Sequence, residues 1–107
     1  MKVAYFIYQD NEAIGRQSDG VEFCLIPEFN DNHIYFYCAE YMVFWDSIEN
    51  VGNLSLSKDY KLRNKIVPAT LVEICNNNLI SYVNLVKEYN ILNNKIVNVI
   101  YVTLPTN

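Results

Sequence analysis

The sequence predicts one α+β domain over residues 1–107, with an antiparallel or mixed sheet of four or five strands and two or three helices packed mainly on one face. Short β-branched and aromatic runs occur towards both ends of the chain, and apolar residues recur at three- and four-residue intervals between them. The composition is 51% hydrophobic. A chain of this length can therefore form one core without a metal or a disulfide.

The first three strands are predicted in the N-terminal half. Residues 2–8 are apolar on both alternating faces, which is typical of a strand inside a sheet. Residues 9–20 carry the polar residues and glycines of an exposed acidic loop. Residues 21–26 form a second strand that Pro27 ends, and residues 33–38 form a third, so that these two strands make a β-hairpin.

A first helix is predicted between residues 39 and 52. Apolar side chains recur at three- and four-residue intervals from Tyr41 to Val51, polar residues occupy the other face, and Gly52 is a natural stop. Residues 54–57 alternate over too short a stretch to classify. A short edge strand is one interpretation of them.

A second helix is predicted from Pro68, which favours the first position of a helix. From Val72 to Tyr89 apolar residues step by three and four, which places them on one face and predicts packing onto the sheet. Residues 76–78 are three asparagines with poor helix propensity, so the helix either continues through them or breaks there into two. The predicted core between helices and sheet contains Phe44, Ile48, Leu79, Tyr82 and Val86.

The last strand is predicted over residues 96–104. This run is β-branched and apolar, with Asn98 and Thr103 as its polar residues. Such a strand needs cover on both faces or a central place in the sheet.

Three cysteines, Cys24, Cys38 and Cys75, lie in apolar segments without a C-x-x-C spacing. We expect reduced, buried thiols. The apolar run of residues 3–8 is too short for the core of a signal peptide, and no run approaches the roughly 20 apolar residues that span a bilayer. These features predict a cytoplasmic protein without a membrane partner.

Charge is distributed unevenly along the chain. Residues 1–57 carry nine acidic residues against two basic ones, whereas residues 58–107 carry six basic residues against three acidic ones. Nucleic acid is not predicted as a partner, because its phosphates require a concentrated basic face. The strongest candidate for such a basic face is the group Lys58, Lys61, Arg63 and Lys65. Asp59 interrupts this group, so we interpret the segment as a solvated linker.

The sequence does not indicate an enzyme. His33 is the only histidine, and across the predicted hairpin Cys24 lies diagonal to it, with about 7–8 Å between Cβ atoms. That separation is longer than a nucleophile and its base normally require. We interpret His33 as a polar residue beside a turn, with a Cys24–His33 dyad as the alternative.

Neither a metal nor a cofactor is predicted. The local carboxylate pairs lie among polar residues and lack the spacing of a metal-binding loop. These pairs are Asp10 with Glu12, Glu28 with Asp31, and Asp46 with Glu49. The three glycines are too widely spaced to form a phosphate-binding loop.

Aromatic residues favour a binding module. The chain has nine tyrosines and Trp45, and such rings supply large contact area with little side-chain entropy to lose. Tyr35 and Tyr37 share one face of the third strand, where a helix is the expected neighbour and a partner protein is the alternative.

A short, acidic α+β chain rich in Asn, Tyr and Ile, with a Phe44-Trp45-Asp46 helix behind a tyrosine-rich strand, resembles the small immunity proteins of bacterial polymorphic toxin and contact-dependent inhibition systems. The resemblance implies that the chain binds a cognate toxin domain, often a nuclease, and blocks its active site or substrate groove. It leaves the oligomeric state open.

The acidic half of the chain suits such a role, because nucleases present basic surfaces and complementary charge accelerates association. The residues expected to contact the toxin are Asp10, Glu12, Asp19, Glu28, Asp31, Asp46 and Glu49. Two alternatives are a phage-type inhibitor that acts as an acidic decoy and a small ligand-binding or enzymatic domain.

Overall fold

The computed structural model describes residues 2–9, 20–60 and 65–103, and these form an eight-stranded antiparallel sheet. The strands are β1 Lys2–Tyr8, β2 Val21–Leu25, β3 Tyr35–Cys38, β4 Val43–Trp45, β5 Lys58–Asp59, β6 Val67–Pro68, β7 Leu85–Leu92 and β8 Lys95–Thr103. Over the described residues the helical structure is one short α-helix, Leu71–Asn76, and several 3₁₀ turns. The predicted α+β fold with two or three helices is therefore wrong.

The sheet order is β5-β4-β3-β2-β1-β7-β8, and each neighbouring pair is antiparallel. Strand β2 is shared by two partners along one side. Its first residues pair with β1 (Tyr8 with Val21) and its last with β6 (Cys24 with Pro68). Residues 65–68 are thereby tied to the middle of the sheet.

The predictions for the N-terminal strands are confirmed. Strand β1 lies inside the sheet, between β2 and β7. Strands β2 and β3 form the expected antiparallel pair, with Cys24 opposite Tyr35. Pro27 follows β2 and begins a 3₁₀ turn, Pro27–Phe29, because its fixed φ and missing N–H suit a first helical position but not a ladder.

The first predicted helix, over residues 39–52, is wrong. Residues 43–45 form β4, which lies between β3 and β5, with Phe44 and Trp45 both buried. Adjacent side chains of a strand point to opposite faces, so a strand covered on both faces needs consecutive apolar residues. Residues 54–56 form a 3₁₀ turn rather than an edge strand.

The second predicted helix is also wrong beyond its first turns. Thr70 and Glu73 form a capping box at the start of the α-helix, and the helix ends at the asparagine run, where Asn78 has a φ of 59°. Pro68 belongs to β6, and residues 85–92 form β7. The apolar residues from Val72 to Tyr89 therefore belong partly to the α-helix and partly to β7, and do not form one helical face.

Strands β7 and β8 form a hairpin closed by Asn93 and Asn94, with φ values of 53° and 63°. Positive φ at both loop residues is the signature of a type I′ turn, and Asn tolerates it better than most residues. Asn98, with a φ of 55°, lies in a β-bulge where two residues of β8 face one residue of β7.

The prediction of a strand over residues 96–104 is confirmed by β8. The expectation that this strand is central in the sheet or covered on both faces is wrong. Strand β8 is the last strand in the sheet order, and its apolar side chains are largely exposed.

The sheet is covered on both faces in its central part. On the helix face, Phe23, Phe36 and Trp45 share a buried cluster with Ile74 of the α-helix. On the opposite face, here called the tyrosine face, the buried cluster consists of Cys24, Ile26, Tyr37, Phe44, Tyr60 and Ile66. The expected cover of Tyr35 and Tyr37 by a helix is thus wrong, because residues 60 and 66 cover that face.

Gly20 marks a close approach of two chain segments beside β1. Its φ is +93°, and a Cβ there would lie 2.7 Å from Cγ2 of Ile7 and 2.8 Å from the carbonyl oxygen of Tyr8. No larger residue fits there without movement of the backbone.

The predicted core is partly correct. Phe44 and Val86 are buried, Ile48 and Leu79 are half-buried, and Tyr82 is exposed. Cys24 and Cys38 are buried, as expected, whereas Cys75 is exposed on the α-helix, so the prediction that it is buried is wrong. No helix within residues 2–9, 20–60 and 65–103 is long and apolar enough to cross a membrane.

Candidate functional site

Two acidic segments meet at one end of the sheet. Strands β2 and β4 both run antiparallel to β3, so they run parallel to each other and the segments that follow them emerge at the same end. Residues 26–34 follow β2, and residues 46–57 follow β4. Glu28 and Asp31 lie in the first segment, and Asp46 and Glu49 in the second.

His33 joins the two segments. Its Nε2 lies 2.6 Å from the backbone carbonyl oxygen of Asp46; because a carbonyl can only accept a hydrogen bond, the ring N–H donates it. Its backbone N–H donates to Oδ1 of Asp31 at 3.1 Å. The side chain of Asp46 is exposed, and its Oδ2 lies 3.8 Å from Nζ of Lys58, whose side chain is exposed as well.

Asp31 is held in its ionised form by hydrogen-bond donors. The hydroxyl of Tyr35 donates to Oδ2 of Asp31, and this bond, followed by the backbone N–H of His33, lowers the pKa of the Asp31 carboxyl. Burial, and then the bond to Asp31, raise the pKa of Tyr35 to about 12. The pair therefore consists of a carboxylate and a neutral phenol across the neutral pH range.

A second phenol–carboxylate pair lies on the tyrosine face. The hydroxyl of Tyr60 donates to Oε1 of Glu28 at 2.5 Å, and the buried hydroxyl of Tyr37 donates to the carbonyl oxygen of Tyr60 at 3.2 Å. Burial, and then the bond to Glu28, raise the pKa of Tyr60 to about 12. This chain of bonds anchors the 3₁₀ turn at residues 27–29 to the sheet.

Phe29 is the exposed centre of an aromatic group beside these carboxylates. Its ring lies 5.5 Å from that of Tyr35, 5.9 Å from that of Phe44 and 6.0 Å from that of Tyr60, at angles typical of edge-to-face or tilted packing. Phe29 is nevertheless 41% exposed. It presents a ring to solvent that its neighbours hold in place.

Two depressions adjoin His33, and both are lined by Asp46 and Ser47. One has a volume of about 220 Å³ and extends over Ile48 and Glu49 on the helix side. The other is an open hollow of about 470 Å³ beside Asp31 and Tyr35. Ser47 donates to Oε2 of Glu49 at 2.5 Å, which holds this carboxylate at the rim of the first depression.

We call this region the acidic surface. It consists of Glu28, Phe29, Asp31, His33, Tyr35, Asp46 and Glu49. Its carboxylates are acceptors for cationic side chains, with Arg able to bind two oxygens at once, and its exposed ring is of the type that anchors interfaces.

Four of the seven acids expected to contact a toxin lie in this region: Glu28, Asp31, Asp46 and Glu49. The other three, Asp10, Glu12 and Asp19, lie outside the described residues. The phenol partners of the carboxylates were not predicted. The short spacing of Asp31 and Tyr35 was a usable signal, but no sequence pattern links Glu28 to Tyr60.

The geometry does not bring the candidate dyad together. Cys24 is fully buried and its Sγ donates to the carbonyl oxygen of Tyr35 at 3.5 Å, whereas His33 is exposed. Among the residues that the structure describes, no group of three or more His, Cys, Asp or Glu side chains is arranged to hold a metal ion.

Comparison with protein families, with curated proteins and with solved structures finds no match for this chain.

Proposed function

We propose that this protein is an immunity-type inhibitor that acts in the cytoplasm, binds a cognate toxin domain through the acidic surface and blocks its active site or substrate groove. The observation that carries the proposal is the meeting of four acidic residues and an exposed aromatic ring at one end of the sheet. A basic protein surface, as in a nuclease, is the complementary partner.

The charge of the acidic surface favours this class of partner. Asp31 is ionised at neutral pH, and its lowered pKa keeps it ionised to a lower pH than an ordinary aspartate. In the ion pairs of the described residues, Asp46 is the one of these four carboxylates that lies near a basic side chain, Lys58. A basic groove that approaches this end of the sheet is therefore attracted to it. Such steering raises the association rate and weakens as salt increases.

The rings of the acidic surface contribute contact area. Phe29 rests on three neighbouring rings, so its position is fixed before binding and little entropy is lost when a partner covers it. We expect Phe29 to act mainly on dissociation, because buried aromatic anchors dominate interface energies.

The test is binding kinetics against the C-terminal domain of a secreted toxin encoded beside this chain. The double variant Asp31→Asn and Glu49→Gln should lower the association rate about tenfold at low salt, with a smaller effect at high salt. Phe29→Ala should accelerate dissociation by roughly 30-fold. Glu40→Gln removes a carboxylate from the β3–β4 turn, at the other end of the sheet, and serves as the matched control.

Unchanged association of the double variant, together with wild-type dissociation of the Phe29 variant, would contradict the assignment of the acidic surface. Protection of toxin-expressing cells provides the readout of inhibition. Tight binding without protection would leave the surface in place and contradict the inhibitory role.

A further inference from the structure

The smaller depression of the acidic surface, of about 220 Å³, lies between the segment that follows β4 and the segment that follows the α-helix. Residues 46–49 line it from the first segment, and Asn77 and Leu79 line it from the second. Ile34 and Phe36 also line it, and both belong to the buried cluster on the helix face. The depression therefore reaches apolar residues of the core.

The side chains that line this depression are of two kinds. Its buried and half-buried side chains include four apolar ones: Ile34, Phe36, Ile48 and Leu79. Its exposed side chains include two carboxylates, Asp46 and Glu49. Among the described residues that line it there is no lysine or arginine, so its fixed charge is negative. An apolar floor thus lies beneath an acidic rim.

Glu49 is held in place and can still accept hydrogen bonds. The hydroxyl of Ser47 donates to its Oε2 at 2.5 Å. A carboxylate offers about four lone pairs, so this bond leaves acceptor capacity for a ligand. Neither ion pair found among the described residues includes Glu49. A cation at the rim can therefore contact Glu49 without displacing a basic side chain from either pair.

The wall formed by residues 46–49 is fixed by the sheet and by hydrogen bonds on either side of it. Nε1 of Trp45 donates to the carbonyl oxygen of Asn53 at 2.9 Å, and Nε2 of His33 donates to the carbonyl oxygen of Asp46 at 2.6 Å. A wall that is ordered in advance loses little entropy when a ligand binds, which favours affinity.

The volume and the lining suit one arginine side chain. A depression of about 220 Å³ is smaller than the roughly 300–1,000 Å³ of sites for drug-sized ligands. Arginine has an aliphatic stem and a planar, weakly hydrated guanidinium that binds carboxylates through two N–H groups, whereas the ammonium of lysine is strongly hydrated. The apolar floor complements the stem and the acidic rim complements the guanidinium.

We propose that this depression, here called the arginine pocket, receives one arginine side chain of the toxin domain, with the guanidinium at Glu49 and the stem against Ile48 and Leu79. This inference rests on the proposed function, because the toxin supplies the arginine. It adds a specific anchor to the charge steering of the acidic surface. Charges at a rim act mainly on association, whereas a desolvated charge pair acts on dissociation.

A first test needs no toxin. Arginine capped at both ends, as N-acetyl-arginine methylamide, is titrated into the full chain and followed by NMR. We expect binding in roughly the millimolar range, with shifts of the amides of residues 47–49 and 77–79. Capped citrulline has nearly the same shape without the charge and should bind about fivefold more weakly. Capped lysine should bind roughly threefold more weakly.

The matching variant is Glu49→Gln, which keeps the size of the side chain and removes its charge. It should weaken capped arginine about fivefold and leave capped citrulline unchanged. Asp59→Asn alters an exposed carboxylate of β5 that does not line the depression, so it is the matched control and should bind capped arginine like the wild type. The NMR spectrum of each variant shows whether it is folded.

A second test uses the toxin domain. Glu49→Gln should weaken the complex roughly tenfold, mainly through faster dissociation. One arginine of the toxin should give an effect of similar size when it is changed to lysine. The two changes together should weaken the complex little more than either alone, because they break the same contact.

Equal binding of capped arginine and capped citrulline, or shifts confined to other residues, would overturn the arginine pocket. Equal binding of capped arginine and capped lysine would overturn the choice of arginine. A toxin complex that depends on Phe29 and Asp31 but not on Glu49 would overturn the pocket and leave the proposed function intact. Arginine binding in the pocket of a chain that binds no toxin would support the pocket and contradict the proposed function.

Discussion

The hydroxyl of Tyr60 donates a hydrogen bond of 2.5 Å to Glu28, although 32 residues separate the two in the sequence. This bond closes the tyrosine face under the 3₁₀ turn that carries Phe29. Tyr60 is buried, and the pKa of its hydroxyl is raised from 10.0 to about 12. The bond depends on a phenol that keeps its proton.

Alkaline pH should destabilise the fold through Tyr35 and Tyr60, because the folded state binds their protons more tightly than the unfolded chain does. With the pKa of each raised from 10.0 to about 12, their contribution is complete below pH 10 and is lost as pH rises towards 12. Chemical denaturation across this range measures the loss. The ultraviolet spectrum of tyrosinate identifies the late-titrating groups.

The variant Tyr60→Phe removes one of these groups and should lose less stability between pH 10 and 12 than the wild type. Tyr41→Phe, at an exposed turn, is the control and should behave like the wild type. Tyr60 ionising at its ordinary pKa in the folded protein would contradict the prediction.

Acid should destabilise the fold through Asp31. Its pKa is lowered from 3.8 by the hydroxyl of Tyr35 and the backbone N–H of His33, so its contribution is present above that value and is lost as pH falls through the lower, folded-state pKa. Asp31→Asn should flatten the dependence of the unfolding free energy on pH below about 4. Carboxyl chemical shifts that place the Asp31 pKa at or above 3.8 would refute this.

Ile74 should be the main anchor of the α-helix. It is fully buried against the helix face of the sheet, so Ile74→Ala should reduce the free energy of unfolding by about 2–5 kcal/mol. Val72→Ala, on the same helix but exposed, should change it by less than about 0.5 kcal/mol. Equal effects of the two substitutions in urea denaturation would show that the helix packs through another face.

The hairpin turn should depend on asparagine. Asn94 has a φ of 63°, so Asn94→Ala should cost about 1–2 kcal/mol, while Asn94→Gly should be neutral or stabilising at the turn. Asn50→Ala, at a position without positive φ, is the control. A tolerated alanine at position 94, measured by thermal unfolding, would contradict the left-handed assignment.

The sequence was sufficient where one local pattern determined the structure. Residues 2–8 alternate apolar side chains on both faces, and β1 is an interior strand. Pro27 ends β2 because it cannot donate to a ladder, and β2 and β3 form the antiparallel pair that the predicted hairpin requires. Each of these features depends on neighbouring residues alone.

The predictions of the two helices were wrong because apolar residues that belong to different elements can also lie three and four positions apart in the sequence. Trp45 belongs to a buried strand and Ile48 to a 3₁₀ turn, so their three-residue spacing does not place them on one face of a helix. In β7 the correct signal was present. Asn93-Asn94 between two β-branched and aromatic stretches is a hairpin signal of the same kind as Asn-Gly.

The acidic surface was predictable only in its charges. Glu28 and Asp46 were identifiable as acidic residues in polar segments, but their common location follows from β2 and β4 running in the same direction. The prediction of a helix at residues 39–52 excluded that arrangement. The bond from Tyr60 to Glu28 requires the path of the chain after β5, which no local pattern encodes.

The place of β1 has a consequence for how fast the chain reaches this structure. Lys2 pairs with Asn90, so the ladder between β1 and β7 joins segments from almost opposite ends of the sequence. Closing so long a loop costs entropy before the contacts form, and sheets with such distant pairing fold in roughly milliseconds to seconds. The β2–β3 and β7–β8 hairpins are local and can form early. We therefore expect docking of β1 between β2 and β7 to be the slow step that completes the sheet.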